Sequence, residues 1–140
     1  MKLRGSRKPS LALCAIAAAT TMLLASPASA GTWTNSISTS WGYMSGYISH
    51  GAPSNTGCSY AKVNSAQGRL LEDKVRDLYG VIGYLQYTDC ATGQIKHKKI
   101  GLAVNSKVSL DTSPVYNAKL PRFMMCKWTE DGGGWIDCRT

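Results

Sequence analysis

Acidic residues are absent from the first half of this chain; none occurs before Glu72. Histidine occurs twice, at His50 and His97, and phenylalanine once, at Phe123. No two cysteines have Cys-x-x-Cys spacing. Each shortage excludes something. Two histidines with no recognisable nucleophile motif give no acid–base constellation, so the sequence argues against an enzyme. Without paired-cysteine spacing a zinc site is not expected, and nothing in the chain asks for another cofactor. No apolar run reaches the roughly 20 residues that span a bilayer, so no transmembrane anchor is expected. Internal repeats, coiled-coil heptads and low-complexity tails are also missing.

What is present begins with a leader pattern. Lys2, Arg4, Arg7 and Lys8 precede the apolar run Leu11 to Leu24, and Ala28-Ser29-Ala30 supplies small residues for cleavage. This order predicts a secretory signal peptide over residues 1–30 and export of a single domain, residues 31–140. Four of the 16 basic residues lie in the leader, leaving 12 against 8 acidic residues, a net +4. That modest charge does not suit a nucleic-acid partner but favours anionic cell envelopes.

A domain of this size buries only about two-thirds of its unfolded surface and gains from covalent staples. Cys58, Cys90, Cys126 and Cys138 form an even set, which in an oxidising compartment implies two disulfides. Arg122 to Thr129 and Trp135 to Arg139 flank Glu130-Asp131-Gly132-Gly133-Gly134, a strong turn signal. A symmetric hairpin pairing Thr129 with Trp135 sets Cys126 opposite Cys138, close enough to bridge. Cys58 then pairs with Cys90.

The hydrophobic period is two almost throughout. Trp33, Asn35, Ile37, Thr39 and Trp41 share one face of a first run, and Tyr43 to Ile48 makes a second. His50 to Gly57 reads as a loop, Cys58 to Asn64 as a strand and Ser65 to Gly68 as a turn. Val81 to Thr88 and Ile95 to Val104 flank Asp89 to Gln94 as a further hairpin, and Lys107 to Leu110 suggests a short strand. One segment reads differently: Leu71, Val75, Leu78 and Ile82 have helical spacing, and Glu72 precedes Arg76 by four. At most a short helix or irregular crossing is expected between Leu70 and Leu78. The fold class is mostly β, a small disulfide-stapled antiparallel β-sandwich.

Candidate binding residues fall into two groups and a single histidine. Lys96, Lys98 and Lys99 surround His97 in the densest charge cluster, suited to a pyrophosphate or an anionic membrane. Alternation sends Lys96 and Lys98 to one face and His97 and Lys99 to the other. The competing reading is an edge strand blunted by lysines against aggregation. Trp33, Trp41, Tyr43 and Tyr47 lead a set of aromatics with polar handles, which serve interfaces and carbohydrate stacking or an ordinary core. His50 opens the His-Gly loop, with a surface role expected and ligand binding as the alternative. Gly68-Arg69 with Asp73 reads as a turn closed by a local ion pair.

Several pieces recur in a recognisable order: Gly31-Thr32-Trp33, Ser45-Gly46-Tyr47, His50-Gly51, Ser59-Tyr60-Ala61-Lys62-Val63-Asn64, Gly68-Arg69, Asp73 and Arg76. Over about residues 31–87 this resembles the lactococcin 972 family of exported bacteriocins. The resemblance implies a sandwich of two antiparallel sheets and a protein that blocks cell-wall synthesis in related bacteria through the lipid-linked precursor. The four cysteines and the stretch from Cys90 to Thr140 depart from the family's pattern.

These readings converge on a secreted bacteriocin-like protein that binds an envelope component of competing Gram-positive bacteria. Two alternatives stand beside it. One is a non-toxic adaptor or lectin-like subunit of a larger secreted toxin assembly, favoured by the C-terminal extension. The other is a secreted protease inhibitor presenting His50 to Gly57.

Overall fold

The computed structural model describes residues 31–65, 68–129 and 134–140, with only the backbone of Trp33 and Thr34. The expected leader therefore lies outside the described residues. So do the centre of the turn after Asn64 and most of the glycine-rich turn after Thr129.

The described residues form nine antiparallel strands: β1 (Gly31–Ser38), β2 (Gly42–His50), β3 (Ser59–Val63), β4 (Leu70–Asp73), β5 (Tyr79–Asp89), β6 (Ile95–Ala103), β7 (Lys107–Val108), β8 (Val115–Thr129) and β9 (Trp135–Arg139). Their order is β6-β5-β8-β3-β2-β4-β7, with β1 on β2 and β9 on β8. β3 joins two halves, β6-β5-β8 and β2-β4-β7, which curl over one another as a half-barrel. The facing layers of the expected sandwich are thus one continuous sheet.

Period-two sequence explains the packing. Along β2, Met44, Gly46 and Ile48 point inward, whereas Tyr43, Ser45 and Tyr47 point outward. Met44, Ile48, Leu71, Leu85, Phe123 and Met125 are fully buried between the layers. Each such side chain contributes about 1.5–3 kcal/mol by leaving water. The layers meet closely at Gly83 of β5, where an added Cβ would lie 2.9 Å from Met44 Sδ. A side chain there would displace the buried Met44 side chain.

Three sequence expectations need correction. β1 ends at Ser38, because the Thr39 hydroxyl binds the amides of Trp41 and Gly42 and turns the chain. No helix forms between Leu70 and Leu78. Leu71 is buried in β4 and Ile82 lies in β5, while Val75 and Leu78 between them are exposed. The helical spacing spans two strands and a bend, and Glu72 pairs with Lys107 at 3.2 Å instead of Arg76. Arg69 and Asp73 do not form the expected ion pair: Arg69 donates to the Ser65 carbonyl, and Asp73 accepts from the amides of Val75 and Asn105.

Both disulfides form as the sequence suggests, Cys58–Cys90 with Cα atoms 6.1 Å apart and Cys126–Cys138 at 4.1 Å. The register beneath the second differs. Trp135 faces Trp128, not Thr129, and Ile136 faces Lys127. A bulge then restores the symmetric register, so that Met125 faces Arg139 and Asp137 with Cys138 stand opposite Cys126. Asp137 carries the bulge at φ 52°, a left-handed conformation that aspartate tolerates better than most residues.

Candidate functional site

Where β5 ends, the Cys58–Cys90 bridge ties the loop of residues 51–58 to the turn between β5 and β6. That loop starts tightly: a Cβ on Gly51 would lie 2.1 Å from Ser59 Oγ, so only glycine fits after His50. β8 runs irregularly past the loop. Asn117 and Leu120 both have φ 52°, Pro121 removes a ladder donor, and the pairing with β5 slips between Gln86 and Thr88. The slip lets the Leu120 amide donate to the Asn55 carbonyl instead of to a neighbouring strand.

A cleft of about 340 Å³ opens at this place. Asn55, Gln86, Thr88 and Arg122 supply its polar lining. Tyr87, Ile95, Leu120 and Pro121 supply the rest, with Ile95 and Leu120 well exposed. This size is in the range of small-molecule sites.

Arg122 is held from behind. Its Nε donates to Gln86 Oε1, and the Gln86 amide nitrogen lies 2.8 Å from His97 Nε2. An amide NH₂ can only donate, so His97 Nε2 is the acceptor and its proton sits on Nδ1. Burial, and then the Arg122 charge, push the His97 pKa below the ordinary imidazole value. Aromatic rings close the other side of His97: Trp135 at 4.7 Å and Tyr84 at 6.1 Å between centroids, with Trp135 Nε1 donating to the Tyr84 hydroxyl. Beneath lies a small second core of Ile82, Met124 and Cys126. The row Arg122–Gln86–His97 thus runs across β8, β5 and β6 on the outer face of the sheet.

None of the seven candidate binding residues whose side chains are described lines this cleft. The side chain of Trp33 lies outside the described residues. Trp41 is buried, with Nε1 donating to Asp137 Oδ2 at 3.1 Å and Lys127 Nζ 5.7 Å from its ring. His50, for which a surface role was expected, is fully buried, and its Nε2 donates to the Ala118 carbonyl at 2.9 Å. It locks β2 to β8 from inside. Tyr43 and Tyr47 do share the outer face of β2; Tyr43 lies beneath Lys74, and Tyr47 is partly exposed.

The lysine run splits between faces as alternation requires, Lys96 and Lys98 opposite Tyr87 and Leu85, and His97 and Lys99 opposite Gln86 and Tyr84. β6 ends the strand order, so these lysines do occupy a sheet edge. Lys96 pairs with Asp89, and Lys98 reaches both Asp111 and the Ser113 carbonyl. The Ser113 hydroxyl and amide, with Lys98 behind them, lower the Asp111 pKa to about 2. Lys99, by contrast, pairs with no acidic side chain among the described residues.

Sequence reasoning passed over Gln86 and Arg122. A signal existed in Pro121, since proline inside an apparent strand marks an edge or a bulge, where pairing stops and side chains are re-aimed.

No family model, no curated protein and no solved structure matches the chain.

Proposed function

We propose that this chain is a secreted bacteriocin-like protein that acts by binding at the envelope of competing Gram-positive bacteria. The observation that carries the reading is an uneven distribution of charge around a ligand-sized cleft. Asp89, which follows the cleft residue Thr88, and Asp111 are each engaged by a lysine of β6, whereas no acidic side chain among the described residues pairs with Lys99, Lys119 or Arg122. Glu72 and Asp73 lie on β4 in the other half of the sheet, and Asp137 on β9 is taken up by Trp41 and Arg139. A cationic face of this kind attracts anionic envelope polymers and lipids. The two disulfides suit an oxidising compartment and a small domain outside the cell. Purified protein is expected to inhibit growth of related strains, with added lipid-linked wall precursor relieving the effect. Unchanged growth across a broad panel of close relatives would overturn the reading.

A second reading has its own observation. At the other end of β5 from the cleft, Leu78 is 93% exposed, and Val75, Tyr79 and Val104 are also exposed. An apolar pole suits a protein partner, as in an adaptor subunit of a larger secreted assembly. A stoichiometric large protein recovered with the chain from culture supernatant would favour that alternative.

A further inference from the structure

We infer that the Arg122 cleft is a binding site for a singly charged amphipathic oxyanion, a carboxylate or phosphodiester head carrying an apolar tail. The inference rests on the reading that the protein acts by binding, and it names the ligand class. Among the described residues, Arg122 is the one cation lining the cleft. Its Nε is committed to Gln86, which leaves the terminal nitrogens to face a ligand, and no acid among the described residues neutralises them. Gln86 is itself more than nine-tenths buried, so the fork is fixed in orientation before a ligand arrives. A fixed guanidinium fork matches the two oxygens of a carboxylate or phosphodiester.

One cation calls for one negative charge. A pyrophosphate would ask for more, and Lys96 and Lys98 are already held by Asp89 and Asp111. The tail follows from the remaining lining. Ile95 is 59% and Leu120 46% exposed at the cleft, apolar surface that a hydrocarbon chain would cover. Leu120 keeps its place despite a left-handed backbone, where glycine or asparagine would be less strained. Its side chain is the reason we give for that cost.

The test uses the secreted protein with both disulfides intact and isotope-labelled amides, titrated below micelle concentration. Decanoate and methyl decyl phosphate are the probes; acetate, inorganic phosphate and decyl maltoside are the controls. Saturable shifts at Asn55, Thr88, Leu120 and Arg122 are expected with the probes and not with the controls at equal concentration. Response to decanoate alone assigns a fatty-acid source, and response to methyl decyl phosphate alone a lipid headgroup. Arg122→Gln should weaken binding about tenfold, the loss of roughly one charge-assisted hydrogen bond. Arg122→Lys, which keeps the charge without the fork, should fall between and serves if the glutamine variant does not fold.

Absence of shifts, shifts confined to the opposite pole, an equal response to decyl maltoside, or unchanged affinity in both variants would each overturn the site. Growth inhibition surviving such a result would leave the antibacterial reading standing. Binding at the cleft without growth inhibition would remove that reading and keep the site.

Discussion

Trp41 Nε1 donates to Asp137 Oδ2 at 3.1 Å, so the turn after the first strand is fastened to the last strand across 96 positions of sequence. Asp137 does two things at once: it adopts the left-handed conformation of the bulge that seats Cys138 opposite Cys126, and it supplies the acceptor for a buried indole. Arg139 pairs with its other oxygen at 2.7 Å. Asp137→Ala should cost about 1–3 kcal/mol, because the Trp41 N–H loses its acceptor. Asp137→Asn, which keeps an acceptor and tolerates the conformation, should cost less. Urea unfolding of the two variants beside the parent checks the order.

The disulfides make a sharper prediction. The chain over residues 31–140 should contain no free thiol, and peptide mapping should recover Cys58–Cys90 and Cys126–Cys138. Replacing Cys58 and Cys90 together by serine should lower stability by about 2–5 kcal/mol and loosen the loop that walls the cleft. A recovered Cys58–Cys138 peptide would contradict the fold at both ends.

Much of this architecture was legible because local signals agreed with one another. The strand-forming runs Val81 to Thr88 and Ile95 to Val104 are joined by a turn-forming segment, so that hairpin is found in place. The Cys126–Cys138 bridge was also legible, although its reasoning was only half complete. The symmetric hairpin holds beyond the bulge and fails before it, since nothing local announces that Asp137 will be an extra residue. The helical spacing of Leu71 and Ile82 misled because each serves a different strand. His50 misled through composition: a histidine before a glycine-rich loop looks exposed, and only the crossing of β8 buries it. The cleft was illegible for the same reason, as Asn55, Gln86 and Arg122 meet only when three distant segments are brought together by the curl of the sheet and the Cys58–Cys90 bridge.

Titration should separate two groups. His97 has a folded pKa below its unfolded value near 6.5, so the unfolded chain binds more protons as pH falls through that range. Stability should therefore be full above about pH 6.5 and decline below it, as the Gln86 amide cannot donate to an imidazolium. Asp111 acts later: its contribution is present above the ordinary carboxylate range and is lost as pH falls toward about 2. His97→Gln should flatten the first decline and leave the second. Thermal midpoints measured from pH 8 to pH 2 will show whether the two phases exist.

The lysine edge gives a decision between binding and solubility. Replacing Lys96, Lys98 and Lys99 together by glutamine should accelerate aggregation, because β6 would lose the charges that guard a free sheet edge. Envelope binding should fall only modestly, since two of the three charges already have carboxylate partners. Light scattering and cell binding on that one variant distinguish the roles, and abolished binding with normal solubility would move the site to β6.

The most direct measurement of the central claim is co-sedimentation of the disulfide-bonded protein, residues 31–140, with intact cells of related Gram-positive strains. The account predicts saturable binding that weakens as salt rises, because exposed charges are screened over about 8 Å at physiological ionic strength. It also predicts that reduction of the disulfides abolishes this binding. Protein that remains in the supernatant at every cell density, at low and high salt alike, would contradict it.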